Sequence, residues 1–145
     1  MKKTLRYAGL AIVSLFFFVG GSAHFTATEL FTSIVPPYVP YPRAVVYITG
    51  FMELLGAAVL WVPTWRRWAG NGLIALTICV TPANVHMWLN PQLFPNISEA
   101  ALTWRLIAQV ALLACIWWST RPTFDAPVRM HQGRMVAARE IERDD

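Results

Sequence analysis

Charge is what this sequence has least of. Only 14 % of its 145 residues are Asp, Glu, Lys or Arg, against 56 % hydrophobic and 13 % aromatic. That balance leaves too little polar surface for a soluble domain and makes lipid the main solvent. Acid is scarcer than base, 8 residues against 12, for a net charge of +4. The bases are almost all arginines set singly or in pairs, with no long basic run, which excludes nucleic acid as a partner and leaves the membrane surface. Cysteine is nearly absent. Cys79 and Cys115 lie far apart inside apolar stretches, so there is neither a CxxC redox pair nor a metal-ligand cluster, and both read as small buried core residues. A nucleophile elbow, a phosphate loop and a haem-attachment motif are missing as well.

Long apolar runs are what the chain does have. A hydrocarbon core about 30 Å thick takes roughly 20 mostly apolar residues per helix. Four runs qualify: 5–25, 45–62, 68–89 and 100–119. The expected fold is all-α, an integral membrane antiparallel four-helix bundle over residues 1–119, followed by a polar cytoplasmic tail, 120–145. Pro82 interrupts the third run, which a membrane helix tolerates when neighbours satisfy the freed carbonyl. The segment Ile34–Pro42 holds four prolines within seven residues; it cannot continue a helix and is expected to cap one mouth of the bundle. In the tail, Val128–Ile141 allows a marginal surface helix or no fixed structure. A competing reading of the first run is a cleaved signal peptide, with Gly21-Ser22-Ala23 at the cleavage site; N-terminal sequencing that began at His24 would establish it.

Basic residues orient membrane proteins, because cytoplasmic loops carry excess Lys and Arg. Lys2, Lys3 and Arg6 precede the first run, Arg66 and Arg67 follow the second, and Arg121, Arg129, Arg134, Arg139 and Arg143 follow the fourth. All three segments point to one side, N-in and C-in, in the inner (cytoplasmic) membrane. Trp61, Trp65 and Trp68 at the inner turn, and Tyr38, Tyr41, Tyr47, Trp88 and Trp104 near the outer ends, fit interfacial aromatic belts.

Polar residues at membrane depth are costly and therefore candidates for function. Counting about 1.5 Å per residue along alternating helices places His24, Glu53, Asn84, His86, Arg105 and Gln109 in the outer half. They are expected to line one ligand-binding pocket beneath the proline-rich loop. Each has a simpler reading: the histidines can touch headgroups, Arg105 can snorkel outward or pair with Glu99, and Asn84 can bond one helix to another. Glu53 resists one, since a carboxylate near mid-membrane persists only when paired, protonated or bonded to a ligand. It is the candidate catalytic group, as a general acid or base. His24, Glu53 and His86 also suggest a metal triad, without a local spacing such as HxxxH or ExxH to support it.

These elements together resemble the DoxX-like family of small four-helix membrane proteins. The resemblance is carried by Gly20-Gly21-Ser22-Ala23-His24-Phe25, Ile34-Val35-Pro36-Pro37-Tyr38-Val39-Pro40, Ile48-Thr49-Gly50-Phe51-Met52-Glu53-Leu54-Leu55-Gly56, Arg66-Arg67-Trp68-Ala69-Gly70 and Thr81-Pro82-Ala83-Asn84-Val85-His86-Met87. It implies a membrane bundle and names His24, Glu53, Asn84 and His86 as the polar motif. It implies function less sharply, since similar proteins are linked to quinone-coupled oxidation, oxidoreductase assemblies, enzyme maturation and cargo handling. The leading expectation is a redox-associated subunit binding a quinone or other small lipophilic ligand around Glu53, with a membrane or periplasmic oxidoreductase as partner. The alternatives are a self-contained membrane enzyme and a non-catalytic assembly or carrier protein.

Overall fold

The computed structural model describes residues 2–121, and all regular structure in them is helical. The helices are α1 (Lys2–Thr26), α2 (Thr28–Ser33), α3 (Pro42–Val59), α4 (Arg66–Leu89) and α5 (Glu99–Thr120), with a 3₁₀ turn at Pro91–Leu93. The polar tail, with its candidate helix Val128–Ile141, lies outside the described residues except at its start. There Thr120 still belongs to α5 and Arg121 follows it.

Helix boundaries follow local chemistry. Tyr41 takes the left-handed conformation (φ 53°, ψ 54°) and Pro42 occupies the first turn of α3, where a missing N–H costs nothing. The second span therefore starts and stops three residues before the expected 45–62. Its end is set by Pro63, which disfavours helical geometry at Val62. Ser98 caps α5 by accepting from the Ala101 N–H at 3.2 Å, with Glu99 in the first turn to complement the helix dipole. Helix α4 runs unbroken through Pro82.

The sequence reading missed α2. Helix α1 breaks at Ala27 (φ −125°, ψ 39°), and the chain turns into a six-residue helix. Thr26, Thr28 and Thr32 each donate a hydroxyl to the carbonyl four residues earlier, the local bonding that lets threonine occupy helix ends. Arg43 at the start of α3 pairs with Glu29 of α2.

Four helices, α1, α3, α4 and α5, are long and apolar enough to cross a membrane. They pack as a ring in which α1 and α4 each contact both α3 and α5. Ser14 donates to the Ala57 carbonyl at 3.0 Å, while Gly21 lies against Gly50. Gly9 lies against Ser119 and Gly70 against Thr120; Gly56 meets Leu73. Residue numbers rise along one helix as they fall along its neighbour. Arg6 donates to the Arg121 carbonyl and Arg66 sits 5.6 Å from the Tyr7 ring centre. The start of α1, the α3–α4 turn and the end of α5 thus meet at one end.

That end is filled by carbon. Leu10, Val13, Phe17, Ala57, Leu60, Leu73, Leu76 and Ile116 form a continuous buried cluster from all four long helices. Burial along the spans as a whole is sparse: only 17 to 33 % of an apolar 18-residue stretch of each is inside, and exposed Leu15, Phe18, Phe51, Leu55 and Val110 present an apolar surface suited to lipid. Cys79 belongs to this outer surface and Cys115 is half-buried, which corrects the expectation that both are core residues. With lipid as apolar as the core, a small hydrophobe gains little by turning inward. Ile116, fully buried in the cluster, supplies a test. Ile116→Ala is expected to cost about 2–5 kcal/mol of unfolding free energy in detergent; a loss under about 1 kcal/mol would show that this end is not the core.

Candidate functional site

Glu53 belongs to the inward stripe of α3, Val46, Gly50, Glu53 and Ala57, whose spacing of four, three and four keeps one helix face buried. The stripe packs against α1 through glycines. A Cβ on Gly50 would lie 2.5 Å from His24 Cβ, and one on Gly21 would lie 2.9 Å from the Gly50 carbonyl oxygen. Absence of side chains there lets the two backbones close together, which sets His24 beside Glu53. Both are buried, each 8 % exposed.

The pair is close without being bonded. His24 Nδ1 is 3.9 Å from Glu53 Oε2, beyond hydrogen-bond range, and 2.8 Å from the Gly20 carbonyl oxygen. A carbonyl can only accept, so Nδ1 donates, and Nε2 has no hydrogen-bond partner among the described residues. Among the described residues no donor reaches the Glu53 carboxyl group within hydrogen-bond distance. Phe31 of α2 stacks on the His24 ring with centroids 4.0 Å apart and planes 28° from parallel. The short helix therefore lays an aromatic face on His24.

Asn84, Arg105 and Gln109 form a second cluster, between α4 and α5. Gln109, on the buried face of α5, donates through Nε2 to the Thr77 carbonyl at 3.0 Å and to the Thr81 hydroxyl, and accepts at Oε1 from Asn84 Nδ2 at 2.7 Å. Asn84 Oδ1 in turn accepts from Arg105 Nη2 at 2.9 Å. Arg105 thus bonds to Asn84, where the sequence left Glu99 open as its partner. Pro82 frees the Ile78 carbonyl, and Gln109 bonds beside it, at Thr77. Thr77 and Thr81 escaped the sequence reading, although with Asn84 they make a polar stripe at helical spacing that was there to be found.

These two clusters lie at one level of the bundle. Gly56 is opposite Leu73, so Glu53, nearly one turn on, is level with Leu76, and Gln109 bonds next door at Thr77. No hydrogen bond or ion pair among the described residues joins them. The second cluster has its polar atoms matched within itself, the signature of helix-to-helix attachment; the first does not. Gln109→Leu should therefore lower stability by about 1–3 kcal/mol, because it leaves Asn84 Nδ2 without its acceptor and removes the bonds that tie α5 to Thr77 and Thr81. Ligand affinity at Glu53 should stay within twofold, and equilibrium binding to the purified variant checks that separation.

His86 stands apart from both. It is half-buried near the end of α4, with Nδ1 3.2 Å from Asn90 Nδ2 and its ring edge-to-face with Phe94 at 6.3 Å. Among the described residues no three His, Cys, Asp or Glu side chains gather closely enough to hold a metal ion. The triad of His24, Glu53 and His86 weighed from the sequence is thus not assembled. An apolar groove between α3 and α4, of about 200 Å³, includes none of these polar residues.

No curated protein and no solved structure matches the chain. A family model does, over residues 13–120, which takes in α2 to α5 and most of α1. The chain belongs to that family, DUF8561, described as a domain of unknown function.

Proposed function

We propose that this is a multi-pass protein of the inner (cytoplasmic) membrane, an antiparallel four-helix bundle with both termini inside. On this reading it binds a small lipophilic molecule of the quinone class between Glu53 and His24. One observation carries the proposal: a carboxyl group buried within a membrane-length helix, with no donor from the described residues, beside a histidine whose Nε2 is also uncommitted. Intramembrane ionisable groups left in this condition mark ligand or proton sites. The orientation rests on Arg6, Arg66, Arg67 and Arg121, which collect at the carbon-filled end. The resemblance to DoxX-like proteins, whose polar motif takes in His24 and Glu53 together with Asn84 and His86, is consistent with this reading.

The donor set suits such a ligand. A quinol presents hydroxyl protons on an apolar ring, and Glu53 and His24 Nε2 both accept, while Phe31 offers a face for stacking. When bound, the quinol would supply two-electron chemistry and release two protons on oxidation; the Glu53 carboxylate would take one and His24 Nε2 the other. On this reading the two electrons pass to an oxidoreductase partner. Solvent extraction of protein purified in mild detergent is expected to yield about one quinone per chain, and a background-level yield, together with no binding of added quinone, would overturn the proposal.

A further inference from the structure

We infer that α2 is a gate on the Glu53–His24 site, with Phe31 as its plug. Its purpose rests on the ligand reading above; the movement itself does not. In the structure the site is shut: His24 and Glu53 are each 8 % exposed, too little for a ligand hydroxyl to reach both until something moves. The long helices resist. Across the α1–α3 seam Gly21 meets the Gly50 carbonyl, and Phe25 of α1 stacks on Tyr47 of α3 with centroids 5.7 Å apart, so parting these two helices breaks packed contacts.

Helix α2 resists least. None of its six residues is buried, and six are too few to hold a helix alone. It is set off from α1 by the break at Ala27 (φ −125°, ψ 39°), while buried Pro36 anchors the loop after it, so the movable piece is α2 itself. Segments with so few buried contacts open most readily, and residues at element ends absorb the change in φ and ψ. What α2 holds at the site is the Phe31 ring, stacked on the His24 ring at 4.0 Å. Its latch is the exposed Glu29–Arg43 pair, which ties it to the first turn of α3. Swinging at Ala27 lifts Phe31 away and bares the imidazole with its Nε2. On closing, the same ring meets the bound ligand.

The test ties the gate shut. In the full chain carrying Cys79→Ala and Cys115→Ala, Glu29→Cys and Arg43→Cys are bridged by a short bismaleimide. Diethylpyrocarbonate labelling of His24 is followed by mass spectrometry, with His86 as internal control. An open state populated at roughly 0.1–10 % predicts that Phe31→Ala labels His24 about ten- to a thousandfold faster than the otherwise identical chain. With Phe31 present the bridge should slow His24 labelling about tenfold or more. In Phe31→Ala it should change nothing, because the ring does the blocking, and His86 should label alike in every form. A bridge that leaves the His24 rate alone, or labelling as fast with Phe31 as without it, would overturn the gate. So would a His24 that Phe31 keeps from labelling altogether, bridge or none, since Phe31 would then be a fixed wall. Association of a short-tailed benzoquinol, kept reduced, should slow on bridging along with the His24 rate. Slowed labelling with no quinol bound in any form would uphold the movement and strike the quinol reading instead.

Discussion

Glu53→Gln is expected to weaken ligand binding by roughly ten- to a hundredfold while leaving the protein as stable as wild type, or more so. The two outcomes separate function from structure. In the structure Glu53 is buried with no hydrogen-bond donor from the described residues, and His24 stands at 3.9 Å with its Nδ1 proton committed to Gly20. A carboxylate so placed destabilises the bundle unless something else bonds to it. Glutamine has the same shape and no charge, so its substitution removes that penalty. A hydrogen bond from a ligand hydroxyl to a carboxylate contributes about 1.5–3 kcal/mol, so affinity should fall by roughly ten- to a hundredfold. A structural Glu53 would behave in the opposite way: Gln would lower the unfolding midpoint and leave binding alone. Residues kept at a cost to stability are those that function requires. Titration of a short-tailed benzoquinol, kept reduced, into both proteins, alongside thermal unfolding, distinguishes the cases.

Gly50→Ala should be the most disruptive single-methyl change in the membrane domain. Its Cβ would lie 2.5 Å from His24 Cβ and 3.1 Å from the Gly21 carbonyl oxygen. Neither neighbour is the loose end of a flexible side chain. Helices α1 and α3 must separate, and overpacking of this kind costs about 1–3 kcal/mol or more. Because separation also carries His24 away from Glu53, ligand affinity should fall with stability. Gly72→Ala is the internal control, since the space beside Gly72 is open. Unfolding by denaturing detergent should show a clear loss for Gly50→Ala and none for Gly72→Ala; equal stability of both variants would mean that α1 and α3 do not touch where the structure puts them.

Long apolar runs announced the membrane helices because hydrocarbon tolerates few alternatives to them. Boundaries were less legible. At the start of α3 the prolines read as loop until Tyr41 turned left-handed and let Pro42 open the helix. The short helix α2 escaped because six residues carry no periodicity, yet it delivers Phe31 to the site. Counting depth along alternating helices singled out Glu53 and His24, which the structure sets side by side. It also gathered Asn84, Gln109 and Arg105 into the same pocket, whereas their contacts form a separate cluster on α4 and α5. Depth is a single coordinate and says nothing about which helices share an edge. Cys79 shows the other limit: in a protein whose outside is as apolar as its inside, hydrophobicity does not tell core from surface.

The account's central claim is that the Glu53 carboxyl group touches the ligand, and difference infrared spectroscopy reads that group directly. Adding a short-tailed benzoquinol, kept reduced, to the wild-type protein should shift a carboxyl band that is missing from the same difference spectrum of Glu53→Gln. Binding that leaves every carboxyl band unmoved, or that is equally tight in the variant, would contradict it.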